Sequence, residues 1–129
     1  MNKSFLSIAA LFGALSVALG AFAAHKLREM VGPEDVATFE TGVRYQFYHV
    51  FALLTVALLS EKFANRWMLR AGNCFIAGII LFSGSLYVLT AMKAAESGSL
   101  KLAGYATPIG GLFFIAGWLF LWLGVTRKP

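Results

Sequence analysis

The chain has 129 residues, of which 59% are apolar and 13% charged, about half the charged share of a soluble domain. A water-soluble fold this small could not hide so much apolar surface, which excludes that class and leaves lipid as the solvent. The net charge of +5 comes from Lys and Arg at the ends of apolar runs, where they meet head groups; no basic stripe or recognition motif points to nucleic acid.

The first apolar run, Ser4 to Ala24, contains no charge and is predicted to be a span over 4–24. Lys3 before it and Ala21-Phe22-Ala23 at its end imitate a signal peptide with a small-residue cleavage site. The run is longer than a signal core, so it is read as a span. His25 to Arg44 forms the longest polar connection. Within it, Gly32-Pro33-Glu34-Asp35 has the form of a helix start, with Pro at the first position and acids at the positive end of the dipole. Val36, Phe39 and Val43 recur at i, i+3 and i+7, which predicts a short amphipathic helix over about 33–43 lying in the membrane interface.

The second span is expected over 45–60, short for a full crossing, and is followed by a polar turn with Glu61, Lys62, Asn65, Arg66 and Arg70. The third is expected over 71–92. Cys74 near its start is the one cysteine, which excludes an intrachain disulfide and a cysteine metal site. Ser97-Gly98-Ser99 then breaks the helix. The fourth span, over 103–125, is closed by Arg127 and Lys128. The fold class is therefore all-α: one domain over 1–129, a four-helix membrane bundle with an interfacial helix between spans one and two.

An even number of spans puts both termini on one side. Lys3, Lys62, Arg66, Arg70, Arg127 and Lys128 share that side, six against the five of Lys26, Arg28, Arg44, Lys93 and Lys101. The excess predicts cytoplasmic termini. Small residues predict how the helices meet. Gly13 and Gly20 lie seven apart, as do Gly110, Gly117 and Gly124. Close backbone approach through such residues is what pairs helices in lipid, and a seven-residue repeat keeps it on one face of a left-handed crossing.

Topology also gathers the polar groups. The end of span one, the start of span two, the later half of span three and the start of span four share one side. They carry His25; Tyr45, Gln46 and His49; Ser83, Ser85, Tyr87 and Thr90; and Thr107. Polar groups are costly in lipid unless satisfied, so these are expected to turn inward and bond to one another. Two readings stay open: a small polar pocket or ion site lined by His25, Gln46 and His49, and a structural cluster tying helix ends together. No carboxylate lies within a span to serve as a proton carrier.

The strings Gly20-Ala21-Phe22-Ala23-Ala24-His25, Tyr45-Gln46-Phe47-Tyr48-His49, Gly78-Ile79-Ile80-Leu81-Phe82-Ser83-Gly84-Ser85-Leu86-Tyr87 and Thr107-Pro108-Ile109-Gly110-Gly111 resemble the signatures of the domain of unknown function 423 family. These are small bacterial inner-membrane proteins with eukaryotic relatives. The resemblance runs in matching order along nearly the whole chain. It departs at Ala23, where the family pattern usually has a second Gly. It implies four spans and a plasma-membrane location and no established activity, so its motif positions imply no catalytic roles.

The leading expectation is a non-enzymatic multi-pass membrane protein that binds or passes a small solute, ion or lipid at a polar pocket on the non-cytoplasmic side. The alternative is a structural or accessory protein docking on a copy of itself or on another membrane protein. No cofactor and no metal are expected. Two minor alternatives remain: a hydrolase-like pair of Ser83 or Ser85 with His49, for which nothing anchors the base, and a haem held by His25 and His49, for which there is no attachment motif and which places both near the interface.

Overall fold

The computed structural model describes residues 1–96 and 101–127; Ser97-Gly98-Ser99 and Lys128 lie outside the described residues. The first helix, α1, runs Lys3–Ala24 from a cap on Asn2, whose side chain accepts the Phe5 N–H at 3.0 Å. A four-residue helix, α2 (Leu27–Met30), occupies the first connection. Helix α3 (Pro33–Leu59) starts at the expected signal, with Pro33 at its head and Glu34 and Asp35 in its first turn.

Helix α4 (Arg66–Gly78) opens on Asn65, whose side chain accepts from the Trp67 and Met68 amides. A π-helical segment, Ile79–Ser83, joins it to α5 (Gly84–Ala94). Helix α6 runs Lys101–Thr126. Four helical stretches are long and apolar enough to cross a membrane: 3–24, 33–59, 66–94 and 101–126.

The second stretch differs from expectation. In place of an interfacial helix over 33–43 and a short span over 45–60 there is one continuous helix of 27 residues. The stripe of Val36, Phe39 and Val43 is buried against Ala23 of α1 and Leu27 of α2, so it faces protein and not head groups. Arg44, between the two predicted pieces, is a good helix former that leaves the helix unbroken. Tyr45–His49 therefore lies near the middle of α3.

Two antiparallel pairs build the bundle. In the α1–α3 pair, the Asn2 amide bonds the Ala57 carbonyl at 3.1 Å. Gly13 faces Val50 and Gly20 faces Val43, and the Phe22 ring packs 5.8 Å from Phe39. In the second pair, Gly110, Gly117 and Gly124 of α6 meet Phe82, Phe75 and Met68. Those three large residues are themselves seven apart, so a repeat of holes meets a repeat of knobs. The contact is reciprocated where the Phe114 ring covers Gly78.

The core falls in two parts along α3. Val50, Leu53 and Val56 pack with Phe5, Met68 and Phe75 toward the chain termini. Val36, Phe39 and Val43 pack with Ala23 and Leu27 toward the first connection. Between these two apolar blocks lie Gln46 and His49.

Candidate functional site

Gln46 is 1% exposed and stands at the centre of the polar set. Its Nε2 donates to the Phe12 carbonyl of α1 at 2.9 Å, and its Oε1 accepts the Tyr87 hydroxyl of α5 at 2.7 Å. One side chain thus ties three spans. The Phe12 carbonyl also accepts the buried Ser16 hydroxyl at 2.7 Å.

Two hydroxyls lie at the end of the π-helical segment, Ser83 as its last residue and Ser85 just beyond it. Ser83 donates to the Gly42 carbonyl of α3 at 2.7 Å. Ser85, two residues on, bonds the Phe82 carbonyl and the Thr107 hydroxyl of α6. A π turn inserts one extra residue into a helix and so re-aims the side chains beyond it. Here the segment serves α3 on one side and α6 on the other.

His49 is held on both edges and one face. The Trp118 indole N–H, which can only donate, reaches Nε2 at 3.1 Å. The ring proton therefore resides on Nδ1, which donates to the Tyr45 carbonyl at 2.6 Å. The ring stacks on Phe114 with centroids 3.5 Å apart. Both nitrogens are in use, which leaves neither for a metal or a solute.

Six of the nine expected residues bond across spans; His25, Tyr45 and Thr90 do not, Thr90 donating only to the Leu86 carbonyl of its own helix. The side-chain bonds of those six form three separate pairs, Gln46 with Tyr87, Ser85 with Thr107 and His49 with Trp118, while Ser83 bonds the Gly42 backbone. His25 does not belong to the set. It is exposed at the end of α1, thirteen residues beyond Phe12, or about 20 Å along the helix. The reason is the length of α3. Because α3 begins at Pro33, the end of α1 lies opposite Phe39, and Gln46 lies opposite the middle of α1. Gln46 and His49 accordingly sit near the middle of α3 and not at its end. Tyr45 is the second exception: its ring packs outward on Phe82, 4.8 Å between centroids, and on Tyr48.

Sequence reasoning missed Trp118 and Ser16. An indole N–H in an apolar span needs an acceptor, and that demand could have pointed from Trp118 to a histidine. The Phe12 carbonyl carries no sequence signal at all.

No buried side-chain nitrogen or oxygen among the described residues lacks a hydrogen-bond partner. The open space is elsewhere. A groove of about 310 Å³ lies beside Tyr87 at the first-connection end, lined by Phe22, Leu27, Met30, Phe39, Ala91 and Ala94 among others. Its floor is the outer face of Tyr87, whose hydroxyl is spent on Gln46.

The family model described as protein of unknown function (DUF423) matches residues 19–111. The chain belongs to this family. It is 35% identical over 126 residues to the UPF0382 inner membrane protein YgdD of Escherichia coli strain K12, covering 98% of this chain and 92% of that one. A UPF0382 membrane protein of Haemophilus influenzae is 39% identical over 96% of this chain and 94% of its own. The UPF0382 membrane protein YwdK of Bacillus subtilis is 37% identical over 92% and 93%. No solved structure matches the chain. With four spans and these relatives, the chain is a multi-pass inner-membrane protein of the family. The matched region covers the polar layer from Gln46 to Thr107 and ends just short of Phe114 and Trp118.

Proposed function

We propose that the protein is a non-catalytic membrane protein that holds one apolar chain of an amphiphile in the groove beside Tyr87. The observation that carries this reading is the contrast between the polar layer and the groove. An ion or polar solute needs polar groups free to receive it, and every buried side-chain nitrogen and oxygen among the described residues already has a partner. The groove presents rings and methyl groups, and its volume lies at the lower end of the range for small-ligand sites. Its position at the end of the spans lets a chain enter from lipid while the head stays at the interface.

The test is native mass spectrometry of the intact protein released from mild detergent. One bound amphiphile per chain is expected, and Ala94→Trp, which fills the groove, should remove it. A wild-type protein that carries none, or a variant that keeps it, ends the reading.

The same reading places both termini in the cytoplasm. Supporting it, Lys3, Lys62, Arg66, Arg70 and Arg127 gather at one end of the bundle, where Asn2 meets Ala57 and Asn65 meets Gly124. A phosphatase that works only outside the cytoplasm, fused after Pro129, should be inactive; activity reverses the orientation.

A further inference from the structure

The terminal end of the bundle holds an arrangement that the groove reading leaves unused. Three guanidinium groups converge on one indole. The Cζ atoms of Arg66, Arg70 and Arg127 lie 5.3, 5.0 and 5.6 Å from the Trp67 ring centre. Arg66 and Arg70 come from the first turns of α4, and Arg127 comes from the end of α6. The two helices are locked together here by the Asn65 amide, which donates to the Gly124 carbonyl at 2.9 Å, and by the Trp67 ring against Phe120.

Three like charges around one ring repel one another. The indole offsets part of this through its quadrupole, but it has two faces for three cations. Carboxylates do not supply the rest. The nearby acid, Glu61, lies 3.9 Å from the Met1 ammonium. None of the three arginines makes a salt bridge among the described residues. The first turn of α4 has no acid, so the positive end of its dipole adds to the field. At the other end of the molecule two of the basic residues have acids beside them: Arg28 pairs with Glu40 and Lys26 with Glu29. The terminal end therefore has three exposed guanidinium groups packed on one ring, with no carboxylate partner among the described residues.

Guanidinium groups match the oxygens of a phosphate in two-point geometry. A hollow of about 380 Å³ opens beside Arg66, lined also by Asn2, Ser60 and Asn65 among others, with room and polar groups for a head group. Tryptophan at a span end sits at head-group depth, which is where a phospholipid presents its phosphate. We infer that Arg66, Arg70 and Arg127, held on Trp67, form a binding site for the phosphate of an anionic membrane phospholipid. The site is at the opposite end from the groove and stands independently of it.

The experiment compares the full chain in nanodiscs of phosphatidylcholine with nanodiscs containing phosphatidylglycerol. The anionic lipid should raise Tm by about 5 °C, as selective binding to the folded state does. High salt should shrink the shift. Arg66→Gln/Arg70→Gln/Arg127→Gln should abolish most of it, and Arg127→Gln alone, at an exposed helix end, should reduce it even if the triple variant folds poorly. Lys26→Gln/Lys93→Gln, at the other end, should retain it. Equal Tm in the two lipids, or an equal loss in the Lys26/Lys93 variant, overturns the site. Millimolar inorganic phosphate that reproduces the shift in phosphatidylcholine overturns the lipid as its source.

Discussion

The α1–α3 pair and the α4–α6 pair look alike in sequence, each with glycines seven residues apart, but they are held by different means. On α6 the glycines are holes that something large occupies. A methyl group on Gly110 would come within 2.7 Å of the Phe82 Cα, and one on Gly117 within 2.6 Å of the Phe75 ring. On α1, methyl groups at Gly13 and Gly20 would sit 3.6 Å from Val50 and Val43, an ordinary contact. The α1–α3 pair draws its specificity from the Gln46 bond to the Phe12 carbonyl instead. Glycine spacing thus marks a helix face without saying whether that face is packed to its limit.

The sharpest way to break the contrast is Gly110→Ala. The neighbour is backbone and cannot swing aside, so a loss of about 3 kcal/mol is expected, at the upper end for overpacking. Denaturant unfolding in detergent measures it; stability equal to wild type would remove the close approach. Gly117→Ala should cost about 2 kcal/mol. Its neighbour is a side chain, so Phe75→Leu should recover part of that loss in a double-mutant cycle, and strictly additive effects would contradict the ring-in-hole contact.

On the polar side, Gln46→Leu and Tyr87→Phe should couple by about 1 kcal/mol, within the range for hydrogen bonds between spans. A coupling near zero would show that the bond ties nothing. The smallest effect is predicted for Gly13→Ala and Gly20→Ala. With space for a methyl and a helix that prefers Ala, each should stabilise by about 0.5 kcal/mol. A marked loss at either position would make the two pairs equivalent after all.

Four spans and the glycine faces were legible because each depends on local signals: apolar length, flanking charge and seven-residue spacing. The helix start at Gly32-Pro33-Glu34-Asp35 was legible for the same reason. The end of that helix was not. An amphipathic stripe of Val36, Phe39 and Val43 looks the same whether lipid head groups or another helix cover it. Reading it as interfacial moved Tyr45–His49 to a membrane face and brought His25 into a cluster that it does not join. Gln46, Ser83, Ser85, Tyr87 and Thr107 still find partners on neighbouring spans, because polar groups in lipid must do so whichever depth they occupy. The π-helical segment and the Phe12 carbonyl lay beyond reach: the first is a backbone choice with no side-chain mark, and any carbonyl on a helix can serve as the second. The large-residue repeat of Met68, Phe75 and Phe82 was open to view, as the complement of the α6 glycines.

The Gln46–Tyr87 bond also bears on how the protein is made. Synthesis runs from α1 onward, and α1 finds its partner in α3, the next span to emerge. When those two helices stand alone in the bilayer, the Gln46 amide N–H has its acceptor in Phe12, but Oε1 faces hydrocarbon with nothing to accept. The hydroxyl that fills it arrives 41 residues later. His49 waits longer still, 69 residues, for the Trp118 N–H. Each hairpin can pair as it leaves the ribosome, yet the first carries two open acceptors until the second is complete. It is the unfinished chain, more than the finished protein, that exposes unmet polar groups to lipid.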